Sequence, residues 1–258
     1  MTKTNIDYVD YSHNPITGCL RDCEYCYAKG IANRFSHGLN LSHEESGNVL
    51  DEPIKRAVEM PGGACQEKTI PFPYKFAPTF HKYRLSDPQR IKKPQTVFVG
   101  SMCDLFGDWI PDDWIEDVFA ACASAPWHRY LLLTKNGNRY WKLHQQGLLP
   151  EQHFYGSTIT DINDCAFYDT EGRYNTFLSI EPLLQWSPDS DYKDDMISNM
   201  KWVIVGAETG NRKGKVTPKR EWIENIVRAC CNSRIPLYMK RNLESVWKEP
   251  LIQEFPYE

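Results

Sequence analysis

Short runs of β-branched and aliphatic residues recur along this chain at 96–100, 130–134, 154–158, 176–180, 202–206 and 236–240. Amphipathic stretches separate most of them. Residues 112–124 place Trp114, Ile115, Val118, Phe119 and Cys122 at spacings of three and four after Pro111, a natural helix start. Residues 221–231 repeat the pattern with Trp222, Ile223, Ile226, Val227 and Cys230. Strands that alternate with helices form parallel sheets through right-handed crossovers, and continuous apolar strands suit a sheet covered on both faces. A further short strand over 8–11 brings the number of parallel strands to about six or seven. The expected fold is α/β, an open or partial (β/α) barrel. A complete eight-stranded barrel is disfavoured, because 182–200 is too short and polar for another full unit.

A single domain over 1–258 accommodates this pattern, and 41% hydrophobic residues suffice for its core. Residues 39–94 break the rhythm with Gly, Pro, His and charge, and are expected to form a partly irregular insertion or lid, or a plain surface excursion. No apolar run approaches membrane length, no signal peptide is visible, and a cytoplasmic location is expected. The net charge of −4 argues against a protein that coats nucleic acid.

Cys19, Cys23 and Cys26 lie in the run Asn14-Pro15-Ile16-Thr17-Gly18-Cys19-Leu20-Arg21-Asp22-Cys23-Glu24-Tyr25-Cys26-Tyr27-Ala28. Three thiolates on one tight loop can hold three corners of a cubane iron–sulfur cluster and leave one iron open. Gly18 permits a sharp turn before the first ligand. A zinc site with His13 or His37 as fourth ligand, buried structural cysteines and a disulfide with one spare thiol are the competing readings. Polar Arg21, Asp22 and Glu24 make a poor core, and a reducing compartment disfavours the disulfide.

The spacing C-x3-C-x2-C, with aromatic Tyr25 before the last cysteine, resembles the signature of the radical S-adenosylmethionine (SAM) superfamily. Further stretches, at 98–106, 125–127, 133–135, 179–183 and 202–210, look like one family within it. That family is the phage-associated radical SAM-like domain family of unknown function, and the likeness runs from about Tyr11 to Asn242. His13 stands where Trp is expected, and Cys103 where Ser is common.

The resemblance implies a radical SAM partial barrel with a 4Fe-4S cluster on Cys19, Cys23 and Cys26 and SAM on the open iron. It also implies an electron donor such as flavodoxin or ferredoxin. Reductive cleavage of SAM would then yield a 5′-deoxyadenosyl radical that abstracts hydrogen from substrate. Tyr25 would lie near the adenine.

Functional groups of parallel barrels collect at the C-terminal ends of strands. Gly100, Ser101 and Asp104 are the first expected SAM contacts, followed by Ser179 and Glu181. Lys135 could pair with the SAM carboxylate. Glu208 and Lys240 could face SAM or substrate, and Thr158, Thr160 and Asp161 are further polar ends. Cys103 is a candidate hydrogen-atom donor, with a small buried residue as its plainer reading. Cys122 and Cys230 read as core.

Two basic stretches, 81–93 and 211–220, the first interleaved with aromatics, could contact a nucleotide or nucleic acid or could be solvated faces. The expected activity is radical SAM chemistry on a nucleotide, a nucleobase or a small metabolite. The competing class is a non-catalytic metal-binding module, with zinc or a structural cluster, that binds nucleic acid.

Overall fold

The structure is a computed structural model that describes residues 1–36, 47–61, 63–160, 164–186, 191–210 and 212–257, without the side chains of 191–194. Its main sheet runs β1 (Thr2–Lys3), β2 (Tyr11–His13), β8 (Thr96–Val99), β9 (Arg129–Thr134), β10 (Phe154–Thr158), β11 (Asn175–Ile180), β12 (Trp202–Val205) and β13 (Leu237–Met239), in that spatial order. Only β1 pairs antiparallel; the strands from β2 to β13 are parallel. The eighth strand is thus an antiparallel edge, and among the described residues no ladder joins β1 to β13.

Helices α3 (Asp112–Ala123), α4 (Gly137–Gln145), α5 (Asp191–Ser198) and α6 (Arg220–Ser233) connect successive strands. The segment 182–200 therefore holds a crossover helix, though no strand among its described residues. Pro111 caps α3, and Asp112 and Asp113 sit in its positive first turn. Cys122 of α3 and Cys230 of α6 are buried in the helix–sheet core, as their faces suggested.

Strand alternation sorts the sheet residues. Val97, Val99, Tyr130, Leu132 and Tyr155 join one outer core, and Leu178, Val203, Val205, Leu237 and Met239 another. Their neighbours Phe98, Leu131, Phe177, Trp202, Ile204 and Tyr238 fill the barrel interior. Tyr8 completes that interior, with ring centroids 6.5 Å from Phe98, 5.7 Å from Trp202 and 5.8 Å from Tyr238. It is not a strand residue: the strand expected at 8–11 begins at Tyr11. Tyr8 instead lies between the first and last parallel strands, where Tyr238 Oη also donates to the Asp7 carbonyl at 3.1 Å.

The insertion is more ordered than its composition suggests. Here β3 (Ile16–Thr17), β7 (Thr79–His81) and β4 (Asn48–Leu50) form a three-stranded sheet, and β5 (Lys55–Glu59) and β6 (Cys65–Thr69) an exposed hairpin. Short helices α1 (Tyr27–Phe35), α2 (Asp87–Arg90) and α7 (Glu244–Trp247) complete the elements. No helix of the described residues is long and apolar enough to cross a membrane.

Burial lowers the pKa of His13 to about 3, of His81 to about 2 and of His153 to about 4. An unfolded histidine titrates near 6.5, so these groups favour folding above that pH and oppose it as pH falls toward their folded values. Stability should fall steeply between pH 6.5 and 4, by about 1.4 kcal/mol per pH unit for each histidine. Neither ring nitrogen of His13 has a hydrogen-bond partner among the described residues. Urea melts of His13→Leu should show no loss at pH 7.5 and a pH dependence reduced by about one proton. An unchanged dependence would exclude a neutral buried His13.

Candidate active site

Toward the C-terminal ends of the strands the inward positions change from apolar to small and polar. Ser179 succeeds Phe177 on β11, and Thr158 stands beside Ser179 on β10. One step further, Glu181, Gly206 and Lys240 follow β11, β12 and β13. Thr158, Ser179, Glu181 and Lys240 line a cavity of about 880 Å³ that is also lined by Cys19, Cys23 and Cys26.

The cysteine loop is held from two sides. Gly18 has φ +90°, and a Cβ there would stand 2.2 Å from the Ala77 carbonyl oxygen, so no larger residue fits. Its N–H donates to Met102 O at 2.9 Å, while Cys19 N–H donates to Phe76 O at 3.1 Å. One partner follows β8 and the other belongs to the insertion. Cys26 caps α1 by accepting from Lys29 N–H, and Ala28 and Ala32 of α1 pack on Phe72 and Met102.

All three thiols are free and partly buried. Burial pushes Cys19 up to about 11, and nearby Asp104, Cys23 and Cys26 add to the rise. A cationic centre at Cys19 would relieve that rise. Among the described residues, no three His, Cys, Asp or Glu side chains close on one point as a single ion's ligands do. Zinc needs its ligands about 2.0–2.3 Å from one centre, whereas a cluster offers a separate iron to each thiolate. Three cysteine thiols on one loop are the donor chemistry that a 4Fe-4S cluster takes. His13 is buried and is not part of the cavity lining. His37, like Asp161, lies outside the described residues.

Every expected site residue lines this cavity: Tyr25, Gly100, Ser101, Cys103, Asp104, Lys135, Ser179, Glu181, Glu208 and Lys240. Their partners differ. Tyr25 packs under Lys135 Nζ, 5.2 Å from the ring centroid. Cys103 is a neighbour of Cys19, and burial pushes its thiol well above the ordinary range.

Asp104 is largely occupied by protein groups. It accepts from Thr134 Oγ1 at 2.6 Å and from the Lys135 backbone N–H at 3.2 Å, and it forms an ion pair with Arg21 at 3.5 Å. Its role here is to join the cysteine loop to the end of β9. Glu208 is occupied too. Its side chain is 1% exposed, and it accepts from Arg212 Nε at 2.8 Å and Nη2 at 2.9 Å. The guanidinium holds its carboxyl below the usual range. With Val216 N–H donating to the same carboxylate at 3.1 Å, these bonds tie the loop after β12 together. Arg212 also reaches Glu24 at 3.2 Å, but Glu24 is 82% exposed, so solvent screens that contact.

Three contributors were not singled out from sequence. Asn14 donates to Ser101 Oγ at 3.1 Å and accepts from Met102 N–H at 3.0 Å, tying β2 to the β8 loop. Tyr27 Oη donates to Ser101 O at 2.9 Å. Gly206 leaves space in which Glu181 and Lys240 meet as an ion pair. The Asn-Pro pair before the cysteines was a usable signal for Asn14; Tyr27 and Gly206 had none.

The basic stretches are mostly engaged within the fold. Arg84 donates to Asn14 O and Pro71 O, Arg90 pairs with Asp87, and Lys92 lies over Trp127. In the second stretch Arg220 pairs with Glu224 and Glu249, and Lys219 lies over Trp222.

The fold is similar to that of spore photoproduct lyase complexed with dinucleoside spore photoproduct, with TM-score 0.54, 10% identity and coverage of 93% of this chain and 78% of that one. A variant of that lyase with bound AdoMet and dinucleoside spore photoproduct matches at TM-score 0.51 and 9% identity, with the same coverage. No curated protein matches the sequence significantly. A family model described as a protein of unknown function (DUF5131), a description without a phage link, matches residues 3–249, and the chain belongs to that family.

Proposed function

We propose that this protein is a radical SAM enzyme that acts on a nucleobase-containing substrate. The observation that carries the reading is the placement of Cys19, Cys23 and Cys26 in one cavity with the polar ends of parallel strands. The likeness to a lyase solved with AdoMet and a dinucleoside supports both the cofactor and the substrate class.

In this reading the three thiolates hold a 4Fe-4S cluster. When bound, the cluster and SAM would supply reductive cleavage of the sulfonium. The chain supplies position and exclusion of water. Gly100 and Ser101 offer backbone and hydroxyl groups beside the cysteine loop, with Ser101 oriented by Asn14 and Tyr27. Tyr25 and Lys135 form a stacked lid for an adenine or carboxylate. Asp104 and Glu208 are positioning residues. Cys103 holds a neutral thiol, the form that can hand a hydrogen atom to a carbon radical. An electron donor completes the set of partners, and the phage association rests on the sequence resemblance.

Anaerobic reconstitution with iron and sulfide should give a brown protein with about four irons. With dithionite it should convert SAM to 5′-deoxyadenosine, and Cys19→Ala, Cys23→Ala and Cys26→Ala should each abolish the conversion. Zinc without iron or sulfide in anaerobically purified protein would replace this reading with a non-catalytic metal-binding module.

If Cys103 returns a hydrogen atom to the substrate-derived radical, turnover in heavy water should place deuterium in the product of that substrate, and Cys103→Ala should remove the label. Unlabelled product from the parent protein would exclude the donor role.

The engaged basic stretches favour a substrate held inside the cavity over a strand held along the surface. Binding of single-stranded DNA should therefore be weak and lack the steep salt dependence of multiple phosphate contacts. Tight binding lost steeply between 50 and 200 mM salt would point to a polymer track.

A further inference from the structure

In the proposed reading cofactor and substrate share the cavity that the cysteines line, and the chain lines its two ends differently. The cysteine loop, Asn14 and Ser101 belong to the β2–β8 end of the sheet. Ser179, Glu181 and Lys240 belong to the β11–β13 end.

At that second end the three strands finish side by side, with Ile180, Val205 and Met239 in register. The next residues, Glu181, Gly206 and Lys240, are therefore neighbours on the inner face. A Cβ on Gly206 would lie 2.9 Å from Lys240 Cδ and 3.3 Å from Glu181 Cδ, so the absent side chain is what lets the two charges meet. One Glu181 oxygen takes Lys240 Nζ. Nearby on β11, Ser179 Oγ is buried and has no hydrogen-bond partner among the described residues. A buried hydroxyl in a cavity wall without a protein partner marks where a ligand atom or a water is expected.

The ligand's chemistry follows from the pair. A phosphate at Lys240 would face the carboxylate of Glu181, and a cation at Glu181 would face the ammonium of Lys240. A neutral planar edge avoids both repulsions: its N–H donates to Glu181 while its C=O accepts from Lys240, and Ser179 can serve either role. We propose that Ser179, Glu181 and Lys240 form the substrate subsite and read the amide or imide edge of a pyrimidine base. This rests on the radical SAM reading for the role of the cavity, and it moves these three residues from cofactor to substrate.

The test uses the full chain, anaerobically reconstituted, with uridine and thymidine as probes. Ligand-observed NMR should detect nucleoside binding in the presence of saturating SAM. Glu181→Gln and Lys240→Met should each weaken it about tenfold or more, as expected for hydrogen bonds to charged groups. Ser179→Ala should weaken it about 3–10-fold while thermal stability holds or rises, since an unpartnered hydroxyl is removed. That combination separates ligand contact from a structural role, and it remains decisive if a charge variant fails to fold.

Displacement of the nucleoside by SAM would overturn the proposal, because the pair would then hold the zwitterionic methionine end. So would unchanged nucleoside affinity in Ser179→Ala, or no binding of either nucleoside to a protein that binds SAM. Nucleoside binding is read directly, so its outcome stands whether or not the protein cleaves SAM.

Discussion

The peptide at Gly18 is wedged against the Ala77 carbonyl, and this contact decides where the cysteines lie. A side chain at that point would drive the loop off the insertion and break the hydrogen bonds from Gly18 to Met102 and from Cys19 to Phe76. The insertion then acts as the outer jaw of a clamp whose inner jaw is the loop after β8. Ser101 and Asp104 sit on that inner jaw, so the same clamp brings them beside the thiols. Asn14 and Arg84 reinforce it, one from the end of β2 and the other from the insertion.

The open sheet needs a second device. A parallel barrel that stops short of closure leaves a wet seam beside its first and last strands. Tyr8 packs against Phe98 from one side and Tyr238 from the other, giving the interior a continuous aromatic floor. Above that floor the inward residues become polar because the layer no longer has an opposing apolar partner. Glu181 and Lys240 can stand there partly buried because they neutralise each other across Gly206.

Charge at strand ends therefore divides into two kinds. Asp104 and Glu208 are satisfied by Thr134, Arg21 and Arg212, and they fix loops. The Ser179 hydroxyl has no such partner among the described residues. Sequence position alone makes Asp104, Glu181 and Glu208 all candidate contacts, because all of them follow strands. Only the hydrogen bonds separate a group that holds the wall from one that faces the cavity.

The sequence by itself determined the α/β alternation, the parallel strands from 96 onward, the core faces of α3 and α6, and the three-cysteine loop. These follow from local periodicity and short-range spacing, which do not depend on distant residues. The tertiary structure decided what depended on non-local contact. It turned the Gly- and Pro-rich insertion into a sheet against β3, placed Tyr8 in the seam rather than in a strand, and paired most of the basic stretches internally. It also brought Glu181 and Lys240 together across 59 residues. No local pattern encodes that meeting, because it depends on the register of three parallel strands and on a glycine between them.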